Sequence, residues 1–227
     1  MRASRMSLLH LCDSLFPLGG FAHSDGLESA TSSGAVSSAS DLGHWLDVCL
    51  DEAIGRLDGP AVLHAWTAFH DRDWEALARL DQEVVALRPS SSARRASRAM
   101  GSRLLVTWQA LYPDPRLAHA LRLTHEGRLG PALPVAFAGA CVAAGIDRRD
   151  AVDAFAYTRL AATISSAMRL MPIGQSEAHR LLTETLARVP ATVDAMIEKG
   201  WAPESFAPAM DIATMTQQYL HSRLFRS

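Results

Sequence analysis

The chain has 227 residues, 48% of them apolar, and a formal charge of only −2. A chain of this length buries about 70% of its unfolded surface, so one domain spanning 1–227 is expected. The near-neutral balance excludes a disordered charged tail and a general attraction to nucleic acid or an anionic membrane, leaving partners to be recognised by shape and local patches.

Taken in order, Ser7 to Leu15 reads as a short helix. Arg2 and Arg5 precede it, but Asp13 and Pro17 interrupt the apolar run, so it is not a signal peptide. Asp13 to Glu28 must be a loop, because Pro17 lacks a donor and Gly19 and Gly20 are costly inside a regular element. Leu15, Phe16, Leu18 and Phe21 are too apolar for a solvated connector, so this loop packs into the body or against a partner.

Thr31 to Ser40 is a connector, with Ser40 placed to cap a helix whose stripe is Leu42, Trp45, Leu46, Cys49, Leu50 and Ala53, ending near Gly55 to Gly59. Pro60 opens the next helix, carrying Val62, Leu63, Trp66 and Phe69. Trp74 to Leu87 follows and stops at Pro89. Ser90 to Ser92 cap a long helix through Met100, Leu104 and Trp108, in which Gly101 predicts a close helix contact. Past Pro113 and Pro115, His119 to His125 follows.

The uncharged run from Leu129 to Ile146 is broken by Pro131 and Pro134 and is only weakly hydrophobic. It reads as a buried helix over Leu133 to Ala144 closed by Gly145, not a membrane span. Asp147 and Asp150 open a central helix striped by Val152, Phe155, Leu160, Ile164 and Met168 and otherwise rich in alanine and serine, ending at Pro172. Ser176 caps the last long helix, which Pro190 kinks or breaks. Trp201 to Pro208 is a loop, and Ile212, Met215 and Tyr219 mark a final short helix. No alternating strand pattern competes, so the fold class is all-α, a bundle of roughly eight to ten helices.

The chemistry-bearing residues are sparse. Cys12, Cys49 and Cys141 are an odd number at wide spacing, which fits neither a disulfide framework nor a thiolate zinc site and points to reduced thiols in a cytoplasmic protein. Lys199 is the only lysine, so the phosphate loop of nucleotide hydrolases is absent. No nucleophile elbow occurs, and among the nine histidines His64 and His70, like His119 and His125, stand six apart, off one helical face. No catalytic or metal-ligating residue and no cofactor is therefore assigned. Arg94, Arg95, Arg98 and Arg103 form a solvated face without the aromatic interleaving that nucleic acid needs. The ending Arg223-Leu224-Phe225-Arg226 places two apolar side chains between two charges, which suits either an anchor in a partner's groove or a tail docked on the chain itself.

Three stretches carry a resemblance: Leu15-Phe16-Pro17-Leu18-Gly19-Gly20-Phe21 with Gly26-Leu27-Glu28, then Leu170-Met171-Pro172-Ile173-Gly174-Gln175, then Ser222 to Ser227. In this order and at these places the chain resembles the urease accessory protein UreF family. Gln217-Gln218 stands where many members carry His-Glu. The resemblance implies an all-α scaffold without catalytic activity that joins a UreD/UreH-type accessory protein and a UreG-type GTPase, helps nickel reach apo-urease, and forms a homodimer.

Carried over by position, Phe21, Ser24, Glu28, Arg169, Gln175, Arg223, Leu224, Phe225 and Arg226 are expected partner contacts. Pro17, Gly19, Gly20, Gly26, Leu27, Pro172 and Gly174 are expected structural supports. Glu28, Arg169 and Gln175 are expected on or beside the GTPase-facing surface, and the tail is expected to order on the UreD-type partner. The alternative is a helical-bundle metal- or small-ligand-binding enzyme using the Gly-Gly loop and the histidines.

Overall fold

A computed structural model describes residues 2–226, and within them every regular element is helical. The order is α1 (Arg2–Cys12), a 3-10 turn (Gly20–Ala22), α2 (Leu27–Ser32), α3 (Ala39–Val48), a π-helical segment (Cys49–Asp58), α4 (Gly59–Asp71), α5 (Trp74–Ala86) and α6 (Ser91–Leu111). There follow α7 (Pro115–His125), α8 (Leu133–Ala143), α9 (Arg148–Leu170), α10 (Gln175–Leu186), α11 (Val189–Lys199), α12 (Pro208–Thr216) and a second 3-10 turn (Gln217–Tyr219). The all-α expectation holds.

The caps follow side-chain chemistry with two shifts from expectation. Ser38, not Ser40, caps α3: its hydroxyl accepts the Asp41 amide while the Asp41 carboxylate accepts the Ser38 amide, a reciprocal box that Ser40 cannot form. Amides and hydroxyls of Ser37 and Ser38 hold that carboxyl down at about 2. At α10, Gly174 occupies the cap position and Ser176 already lies in the first turn. Ser90 and Asp147 cap α6 and α9 as their spacing predicts.

The expected stop between Gly55 and Gly59 does not occur. The chain instead runs from α3 through the π-helical segment into α4, because these glycines serve close approach: a β-carbon on Gly59 would lie 2.7 Å from the Ile54 carbonyl oxygen and 2.6 Å from the Met196 sulfur. Gly101 is likewise used for contact, since a β-carbon there would run into the Pro131 carbonyl oxygen.

Two helices centre the bundle. α8 is buried from Leu133 to Val142 and packs against α4, α6, α7 and α9, which settles its reading as a core helix. No helix among the described residues is long and apolar enough to cross a membrane. α9 touches α1, α2, α4, α8, α10 and α11. Its small residues permit those approaches on several sides, and its two ends reach different parts of the surface.

Candidate functional site

The N-terminal loop is seated by aromatic packing. Phe16 is buried against Trp108, with ring centroids 5.6 Å apart, and against His10 at 5.2 Å, while His10 Nδ1 lies 2.9 Å from the Tyr112 hydroxyl. The Arg103 guanidinium donates to the Leu18 carbonyl at 3.4 Å. These contacts fix where the chain leaves the loop through Gly19 and the Gly20–Ala22 turn; Pro17 stays exposed.

The next three residues turn sharply. Asp25 and Gly26 both have positive φ, 51° and 89°. A β-carbon at Gly26 would also sit 2.8 Å from the backbone nitrogen of Thr214 in α12, so the turn needs glycine for conformation and for space. α2 then starts with Leu27 fully buried and Glu28 only 6% exposed.

Glu28 meets the other end of the chain. Its carboxylate accepts the backbone amides of Leu224 and Phe225, the latter at 3.1 Å, and the Gln217 side-chain amide at 3.2 Å. Gln217 in turn accepts from the Ser24 hydroxyl at 3.1 Å and the Gly26 amide at 3.2 Å. The Arg226 amide donates to the Ala22 carbonyl at 2.7 Å, and Ser29 and Thr216 share a hydroxyl contact at 2.9 Å. Tail, α2 and the turn after α12 thus form one cradle, in which the buried carboxylate of Glu28 and side-chain amide of Gln217 have partners inside the chain.

The end of α9 closes it. The Arg169 guanidinium lies 4.4 Å over the Phe225 ring, a cation–π contact, and Phe225 is 3% exposed. Phe225 points in, whereas its neighbours Arg223, Leu224 and Arg226 are exposed. The structure therefore brings Ser24, Glu28, Arg169 and the tail together and docks the tail on its own chain. Glu28 and Phe225 lie beneath that surface, with Arg169 exposed above Phe225. Pro172, Gly174 and Gln175 stay exposed at the following turn. Phe21, expected among the contacts, has a side chain outside the described residues.

The stripe of Ile212, Met215 and Tyr219 does form a helix and its 3-10 extension, but it faces outward, because the inner face is taken by Met210, Ala213 and Gln217. Tyr219 and the preceding Phe206 are each 79% exposed. Val36, Trp45 and Val48 line a groove with Ile212 and Tyr219. Under the turn, Arg159 of α9 pairs with Asp25, and Arg88 pairs with Asp58 in the same small cavity of about 90 Å³. Burial holds His23 below its ordinary 6.5; Asp25 opposes this, while Arg159 and Arg226 reinforce it. Among the described residues no group of three or more His, Cys, Asp or Glu side chains is placed to hold a metal ion.

Sequence reasoning missed Gln217, which it treated only as a departure from a pattern, and Arg159. A signal for the latter was present: an arginine set among Leu160, Ala161 and Ala162 in a helix already read as central needs a buried partner.

The UreF family model matches residues 36–186. Among curated relatives, the urease accessory protein UreF of Azoarcus sp. (strain BH72) is 32% identical over 97% of this chain and 94% of its own length. That of Polaromonas sp. (strain JS666 / ATCC BAA-500) is 30% identical over 99% and 95%, and that of Arthrobacter sp. (strain FB24) 29% over 98% and 97%. The family match covers most of the bundle and the full-length alignments extend across both halves of the cradle: this chain belongs to the UreF family of urease accessory proteins.

Proposed function

We propose that this chain is a non-catalytic scaffold in urease maturation that binds a UreD/UreH-type accessory protein through its α12 and tail face, recruits a UreG-type GTPase, and so assists nickel insertion into apo-urease. It acts in the cytoplasm as a homodimer within that assembly. The observation that carries the reading is the cradle itself: buried Glu28 and Phe225 fix the tail so that Leu224 is presented outward between Arg223 and Arg226. A side chain of that size held in solvent by a buried scaffold is suited to a partner's pocket, with the arginines supplying charge-assisted bonds at its rim.

Glu28 and Arg169 enter this reading as the groups that shape the docking face, Glu28 from beneath and Arg169 from above Phe225. Gln175, exposed at the neighbouring turn, belongs to the GTPase-facing side; Ser24, buried, supports the cradle through Gln217, and Phe21 enters as a further partner contact carried over from the N-terminal motif. Leu224→Asp tests the partner half, because it removes the outward anchor and leaves the inward hydrogen bonds in place. Co-purification with the UreD/UreH-type protein is expected to weaken at least about tenfold, the scale of a lost interface anchor. Unchanged binding by that variant overturns the tail assignment.

A further inference from the structure

We infer that Arg159 is a positioning residue for the tail cradle, acting by locking Asp25 in its left-handed conformation. The inference rests on the cradle's proposed role in partner binding for its biological meaning, although the conformational claim can be tested alone.

The turn at Asp25 is the narrow point of the whole arrangement. Ser24 on one side and Gly26 on the other both donate to Gln217, which holds Glu28, which holds the tail. Asp25 between them has φ 51°, a region that a residue with a β-carbon disfavours, and only Arg72 shares such a value among the described non-glycine residues. Relaxing Asp25 to negative φ rotates the Gly26 amide away from Gln217. Gly26 is itself committed, with φ at 89° and its amide bonded to Gln217, so a change at Asp25 passes to that hydrogen bond. Something must therefore hold Asp25 where it is.

The Arg159 guanidinium does so, donating to the Asp25 carboxylate. Its side chain is 22% exposed and rises from the middle of α9, the most widely contacted helix of the bundle, so the clamp has a rigid base. The wall around it carries Cys49, Thr163, Asp58 and Arg88, with Glu52 and Asp211 on the same cavity. Asp58 is committed to Arg88, which leaves Asp25 as the carboxylate that Arg159 engages directly. A single planar donor on a fixed helix thereby sets the backbone of a loop that sets the tail.

The test is hydrogen exchange at the Leu224, Phe225 and Arg226 amides, with exchange in α8 and α9 as the control for global folding. Arg159→Gln is expected to speed exchange at the three tail amides at least about tenfold, and Arg159→Lys to lie between it and the parent. Asp25→Gly adopts the left-handed turn without the steric cost that the clamp offsets, so the double variant Asp25→Gly/Arg159→Gln is expected to recover most of the lost protection. A parental exchange rate in Arg159→Gln, or a double variant no better than Arg159→Gln, overturns the inference.

Should the glutamine variant fail to fold, Asp25→Ala against Asp25→Gly decides it. Both lose the ion pair but only alanine keeps the β-carbon, so alanine alone should free the tail; equal behaviour of the two overturns the clamp. Partner binding is measured separately. A variant with a free tail that still binds the UreD/UreH-type protein would refute the proposed role of the tail and leave the clamp standing.

Discussion

His23 lies where three charged groups converge on the cradle: Asp25, Arg159 and Arg226. Burial and the two arginines outweigh Asp25, so the folded chain holds this imidazole below its ordinary 6.5 and accommodates it neutral. The sign of the linkage follows. The unfolded chain takes up the proton first on acidification, so the His23 contribution is intact above about 6.5 and is lost as pH falls from there through the lower folded value. Locally the new charge faces Arg226 and loosens the tail. Tail amides, corrected for intrinsic chemistry, should exchange at least about threefold faster at about pH 5.5 than at about pH 7.5, and His23→Gln should remove most of that step. An undiminished pH step in His23→Gln would sink the assignment.

At the scale of elements, apolar stripes and breakers made α3, α4, α6, α9 and α10 legible, and α8 showed itself as an uncharged run between proline and glycine. α7 was marked only by its prolines, α11 was joined to α10 across Pro190, and α2 lay within residues read as loop and connector. Three further features were not legible, each for a physical reason. Gly55 and Gly59 look like terminators in a sequence, yet close packing and the π-helical segment use them inside a continuous helix. The outward stripe of α12 looks like any buried stripe, because periodicity reports a face and not the direction in which it points. The meeting of Glu28 with Leu224 and Phe225 joins residues almost at opposite ends of the chain, and no local pattern encodes it.

Asp81 of α5 illustrates the same limit, being a buried carboxylate that pins the approach to α8 by accepting the amides of Gly130 at 3.0 Å and Ala132 at 2.7 Å. Burial pushes its pKa up and those two amides pull it back. Asp81→Ala should lower the unfolding free energy by about 1–3 kcal/mol for each amide left bare, and Asp81→Asn by less, since it keeps an acceptor. The check is a shift of the denaturant midpoint at constant slope; a parental midpoint in Asp81→Ala would show that the pin contributes nothing.

For the whole molecule, the core and the cradle are separable in energy. The core is carried by α4, α8 and α9, whereas the tail contributes one buried side chain, Phe225, and the cation–π contact with Arg169. Burying a phenylalanine is worth about 1.5–3 kcal/mol and the cation–π contact about 0.5–1 kcal/mol. In a chain of this size a kilocalorie moves the melting temperature by about 2–4 °C. Removing residues 222–227 should therefore lower the melting temperature by roughly 4–16 °C and leave a single cooperative transition.

A chemical reporter distinguishes a loosened surface from a loosened core. Cys49 and Cys141 are buried, and burial pushes the Cys49 thiol up to about 12 and that of Cys141 well above its ordinary value, so neither supplies thiolate to an alkylating reagent in the folded chain. Both should stay unreactive in the truncated protein below its transition while partner binding through the tail is lost. Rapid alkylation of Cys141 at room temperature, or a melt that splits into two steps, would mean that the tail holds the core together and that the partner-facing end of the chain cannot move without unfolding the rest.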